Sequence, residues 1–107
     1  MIIGVPKEIK NHEYRVGLTP RSVKECVNNG HRVLVQTNAG AGIGASDDEY
    51  TTCGAEIIST AAGIFEAAEM IVKVKEPQAG EIAMLREGQI LYTYLHLAPD
   101  PEQTKGL

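Results

Sequence analysis

The sequence has no tryptophan, one phenylalanine, two cysteines and no long apolar run. Each scarcity excludes something. No stretch approaches the roughly 18 apolar residues of a membrane-spanning helix. Cys26 and Cys53 form no C-x-x-C pair, and three scattered histidines complete no zinc spacing. The two cysteines read as small apolar residues on helices. The ten Lys and Arg never stand side by side, and fourteen Asp and Glu leave a net charge of −4. That argues against a basic stripe for nucleic acid and against a polybasic membrane patch. The first residues, Met1-Ile2-Ile3-Gly4-Val5-Pro6-Lys7, lack a basic segment followed by a long apolar one. The expectation is a cytoplasmic protein without a secretory signal.

What is present is a globular composition. Of 107 residues, 43% are hydrophobic, enough for one small domain with a core. Strand-like and helix-like segments alternate, which points to an α/β fold with a parallel sheet and helical crossovers. Strands are expected at Ile2–Pro6, Arg32–Thr37, Ala55–Ile58, Met70–Lys75 and Ile90–Leu95. Pro20–Asn29 carries Val23, Cys26 and Val27 at helical spacing, with Thr19 as N-cap, Pro20 at the first helical position and Gly30 as the stop. Further helices are expected at Asp47–Cys53, capped by Ser46 or Asp47, at Ala61–Ala68, and around Gly80–Arg86. Pro101 opens a last helix that Leu107 cuts short, which suggests a piece of a longer protein. Among flavodoxin/Rossmann-like arrangements, a flavodoxin-like strand order is expected.

Chemistry is concentrated at strand ends, where parallel sheets bind ligands. Val72-Lys73-Val74-Lys75-Glu76-Pro77 and Leu91-Tyr92-Thr93-Tyr94-Leu95-His96 both run from apolar strand into polar residues. Lys73 and Lys75 would share one side of a strand, as would Tyr92, Tyr94 and His96. A lysine in a covered sheet is expected only where its amine reaches solvent or a ligand. His96 suits proton transfer, and a lysine in a cleft can stabilise developing negative charge. Taken singly, Lys75 also reads as a snorkelling surface lysine and His96 as a satisfied loop histidine. Arg15 follows the first strand and could clamp a carboxylate with two parallel hydrogen bonds. The plainer alternative pairs it with Glu8 or Glu13 at the surface. Ala39-Gly-Ala-Gly-Ile-Gly-Ala45 has the wrong spacing for a dinucleotide loop, and Ser46-Asp47-Asp48-Glu49 would oppose phosphate. It reads as a permissive turn. No metal site is expected.

These residues carry a family resemblance. Ile3-Gly-Val-Pro-Lys-Glu8, Glu13-Tyr-Arg-Val16, Thr19-Pro20, Gly30-His31-Arg-Val33 and Ala39-Gly-Ala-Gly42 contribute to it. So do Asp48, Tyr50, Gly54-Ala55, Val72-Lys-Val-Lys-Glu-Pro77 and Gln89-Ile-Leu-Tyr-Thr-Tyr-Leu-His-Leu-Ala98. Together they resemble the N-terminal part of the alanine dehydrogenase/pyridine nucleotide transhydrogenase family, end to end. The resemblance implies reversible NAD-dependent oxidative deamination of L-alanine to pyruvate and ammonium. Arg15 would bind the substrate carboxylate. Lys75 would contact the carboxylate or carbonyl oxygen and polarise it. His96 would be the general acid/base, and Tyr94 a pocket wall.

The family places NAD and a catalytic aspartate in a Rossmann domain outside this chain. It completes the substrate domain with a returning C-terminal segment, and it suggests a homohexamer. Residues 1–107 would then be most of an N-terminal substrate domain, inactive alone. The soluble nucleotide-binding subunit of proton-translocating transhydrogenase is similar in fold but is expected to lack equivalents of Lys75-Glu76 and the Tyr-Leu-His run. A non-enzymatic α/β binding module, indifferent to losing Lys75 and His96, is the third reading.

Overall fold

The computed structural model describes residues 1–8, 15–75 and 79–93. Five short strands, β1 (Ile2–Val5), β2 (Arg32–Gln36), β3 (Glu56–Ile58), β4 (Met70–Lys73) and β5 (Ile90–Thr93), form one sheet, and every neighbouring pair is parallel. Helices α1 (Pro20–Asn28), α2 (Asp47–Thr52), α3 (Ala61–Ala67) and α4 (Ala79–Ile82) lie in the connections.

The strand order is β3-β2-β1-β4-β5. This is the first five strands of the Rossmann order rather than the flavodoxin-like order expected from the sequence. The chain steps outward from β1 to β2 to β3, then returns across the sheet to place β4 on the other side of β1. The order therefore reverses between β1 and β4, and a crevice opens beyond their carboxyl ends.

Alternation along the strands builds two cores. Ile3, Val5, Val33, Val35 and Val72 pack with Val23 of α1 and Tyr50 of α2. Leu34 and Ile71 pack with Ile64 and Phe65 of α3 on the other face. Fully burying each such side chain contributes about 1.5–3 kcal/mol relative to exposure. Cys26 and Cys53 are free thiols, partly buried against the first core. Gly4 lies under α3, where a Cβ would stand 2.7 Å from Ala68 Cβ and from Ile64 Cγ2.

The helix ends follow local chemistry. Thr19 Oγ1 accepts from Ser22 N, Ser46 Oγ from Glu49 N, and Thr60 Oγ1 from Gly63 N. Asp47, Asp48 and Glu49 put negative charge in the first turn of α2, where the helix dipole favours it. Gln89 Nε2 donates to the Phe65 and Ala68 carbonyls, and Arg86 Nη2 donates to Ala68 O, satisfying the end of α3.

Candidate functional site at the β1 and β4 ends

Beyond β1, Pro6 is buried, Lys7 N donates to Gln36 Oε1, and Glu8 turns inward at 7% exposure. Glu8 reaches the end of β4. Its Oε2 accepts from Val74 N at 3.1 Å, and its Oε1 accepts from Lys75 N at 3.2 Å. The same Oε1 lies 3.2 Å from Lys73 Nζ. Lys73 Nζ is also 3.0 Å from Glu81 Oε2 on α4. The side chains of Lys73, Glu8 and Glu81 are at most 2% exposed.

This corrects the expectation that lysines in this run reach solvent or ligand. Lys73 is buried, and two carboxylates make its charge tolerable there. The cluster also explains why β4 stops at Lys73 rather than continuing to Lys75. The next two amides bond to the Glu8 carboxylate instead of extending the ladder. Lys75 sits just past this turn, half-buried.

Arg15 is exposed and lines a cavity of about 380 Å³ with Lys7, Glu8, Asn38, Ala39, Ala41 and Gly42. Its backbone neighbourhood is fixed by Gly17, where any Cβ would overlap the Val72 carbonyl. The glycine loop therefore does more than turn the chain, since Ala39, Ala41 and Gly42 wall the Arg15 cavity. Asp47 holds that wall in place. Its Oδ2 accepts from Thr37 Oγ1 at 2.6 Å, and its Oδ1 accepts from Asn38 N at 2.9 Å. Asn38 adopts the left-handed region with φ 64°, which asparagine tolerates well. The Thr37 hydroxyl, then the Asn38 amide, lower the Asp47 pKa below its ordinary value.

Of the expected site residues, the structure brings Arg15 and Lys75 to one edge. Glu8 joins them by lining the Arg15 cavity and holding the Lys75 amide. His96 and Tyr94 lie outside the described residues. Within those residues the strand that leads toward them, β5, pairs Thr93 with Lys73. From the sequence, Glu8 reads as a surface partner of Arg15 and Lys73 as a lysine reaching solvent or ligand, and nothing singles out Glu81 or Gly17; the structure buries Glu8, Lys73 and Glu81 together. The available signal was Lys73 itself, since a lysine among valines in a covered strand demands an acidic partner.

The fold and this edge define an α/β domain with a crevice at a topological switch point, lined by Lys7, Arg15 and Glu8 among others. The family model "Alanine dehydrogenase/PNT, N-terminal domain" matches residues 4–107, and the chain belongs to that family. Alanine dehydrogenase of Methanococcus maripaludis is 55% identical over all 107 residues, which are 29% of its length. That of Bacillus subtilis is 53% identical over the whole chain and 28% of its own length. A solved L-alanine dehydrogenase superposes with TM-score 0.94 at 48% identity, over 100% of this chain and 29% of that one. A transhydrogenase from Sinorhizobium meliloti superposes with TM-score 0.90 at 30% identity, over 99% of this chain and 31% of that one. The chain thus spans less than a third of the length of these relatives.

The described residues do not fit the phosphates of NAD. Their glycine-rich loop leads through a three-residue 3-10 turn (Ala41–Ile43) into the Asp47-Asp48-Glu49 turn of α2. Those carboxylates occupy the helix end that a pyrophosphate would need. Among the described residues no group of three His, Cys, Asp or Glu could hold a metal ion, and no helix is long and apolar enough to cross a membrane.

Proposed function

We propose that this chain is the substrate-side domain of an alanine dehydrogenase. The observation that carries the reading is identity of 53–55% over the entire chain to alanine dehydrogenases, against 30% to the transhydrogenase. The reaction is L-alanine + NAD⁺ + H₂O to pyruvate + NH₄⁺ + NADH + H⁺. Hydride acceptance is the chemistry that NAD would supply when bound by a domain outside these residues.

The roles of this chain's residues follow from their chemistry. Arg15, on the cavity wall beyond β1, clamps the substrate carboxylate. Lys75, beyond β4, contacts the carboxylate or carbonyl oxygen and stabilises negative charge that develops there. His96 takes a proton from the amine side in deamination and returns it in the reverse direction. Orientation of substrate against cofactor is the protein's main contribution to rate. The complete enzyme is cytoplasmic and assembles as a homohexamer. Residues 1–107 alone lack the cofactor domain and do not turn over.

The test is NADH oxidation by the complete enzyme. It should require pyruvate and ammonium together. Nucleotide binding without such oxidation would favour the transhydrogenase-like reading, and turnover by residues 1–107 alone would contradict the domain assignment.

A further inference from the structure

The buried cluster holds one ammonium and two carboxylates, and the two carboxylates are not equivalent. Glu81 approaches Lys73 from α4. Glu8 approaches it from the chain beyond β1 and also bonds the amides of Val74 and Lys75. We propose that Glu8 is a positioning residue for Lys75, a role that rests on the dehydrogenase reading. Its carboxylate fastens the backbone on which Lys75 stands, and Lys73 holds that carboxylate in place. Glu8 also lines the Arg15 cavity.

The geometry supports the assignment in three ways. Both Glu8 oxygens are used, one on each successive amide, so the carboxylate plane is fixed. The contact spans more than sixty residues of sequence, so it ties the β1 end to the β4 end across the switch point. The bonds to charged oxygen are stronger than neutral ones, and the one from Val74 N is buried.

The matched variants are Glu8→Gln and Glu81→Gln in the complete enzyme. Each removes one carboxylate and leaves Lys73 paired one-to-one with the other, so both should fold. Only Glu8→Gln gives up an amide bond at Val74–Lys75, since an amide side chain offers one acceptor oxygen in place of two. Glu8→Gln should lower kcat by about 10- to 100-fold, the scale of a small misplacement of a substrate-contacting group. Glu81→Gln should leave kcat within about twofold of wild type, because Glu8 keeps both amide bonds in that variant.

In a Lys75→Ala background, Glu8→Gln should add almost no further loss, because the group it positions is gone. Amide hydrogen exchange at Val74 and Lys75 should rise about tenfold or more in Glu8→Gln and stay unchanged in Glu81→Gln. Equal losses in the two variants, no loss in Glu8→Gln, or a full further loss in the Lys75→Ala background would overturn the positioning role. Unchanged exchange in Glu8→Gln would overturn the fastening itself. An inactive wild-type enzyme would instead refute the dehydrogenase reading, so the two failures are distinguishable.

Discussion

Replacing Lys73 with methionine should unfold much of this domain's stability margin. The side chain is 1% exposed and lies 3.2 Å from Glu8 and 3.0 Å from Glu81. Methionine nearly matches its volume, so little of the cost would come from a cavity. The cost comes from two buried carboxylates losing their shared ammonium. Breaking a buried pair by removing one partner typically costs about 3–5 kcal/mol. A domain of this size has about 5–15 kcal/mol in total, so the variant would sit near its limit.

Urea unfolding of the 107-residue chain, followed by far-ultraviolet circular dichroism, measures this directly. With a slope of about 1–3 kcal/mol per molar urea, the midpoint should fall by more than about 1 M. The triple change Lys73→Met, Glu8→Gln, Glu81→Gln removes every formal charge of the cluster and should recover part of the loss, since Glu8→Gln still gives up one amide bond. A Lys73→Met midpoint within about 0.3 M of wild type, on the same slope scale, would refute the claim that Lys73 charge holds the β4 end.

Two further outcomes follow from single residues. Gly17→Ala forces a Cβ onto the Val72 carbonyl. It should cost about 1–3 kcal/mol, as overpacking does, and raise the KM for pyruvate by moving Arg15, which thermal melts and steady-state kinetics would check. Tyr50 donates its hydroxyl to Leu18 O at 2.8 Å. Burial, then the charges of Glu49 and Asp47, push its pKa up to about 12 from 10.0. The fold therefore keeps this phenol protonated where the unfolded chain ionises it. Its stability contribution is whole below pH 10 and is lost as pH rises toward 12. Melts across that range should show an alkaline decline that Tyr50→Phe reduces, and an equal decline in both proteins would contradict the assignment.

The parts of this fold that were legible in the sequence are those that local chemistry decides. Thr19-Pro20 and Ser46 announce helix starts, and Gly30 and Gly54 take positive φ where α1 and α2 end. The valine- and isoleucine-rich runs announce buried parallel strands. Strand order was not legible, because nothing within a strand says on which side of β1 the returning β4 will lie. The end of β4 was not legible either. Its pattern runs on to Lys75, and only the distant Glu8 takes up the two amides that would have extended it. The helix expected around Gly80–Arg86 is shorter, Ala79–Ile82, because Arg86 and Gln89 turn back to satisfy the carbonyls at the end of α3.

The site divides the same way. Arg15 and Lys75 were readable as polar residues delivered to a sheet edge. Glu8 looked like a surface partner for Arg15 because its burial depends on Lys73, sixty-five residues away. The glycine loop looked like a turn because its second role, walling the Arg15 cavity, exists only once β1 and β2 are adjacent.

The most direct test of the central claim is NADH oxidation by the complete enzyme with pyruvate and ammonium, with His96→Ala measured beside wild type. Wild type should oxidise NADH rapidly, and the variant should lose about 10²–10⁴-fold, the range for a missing general acid/base. Full activity in His96→Ala would contradict the proposed mechanism, and no oxidation by the wild-type enzyme would contradict the proposed function.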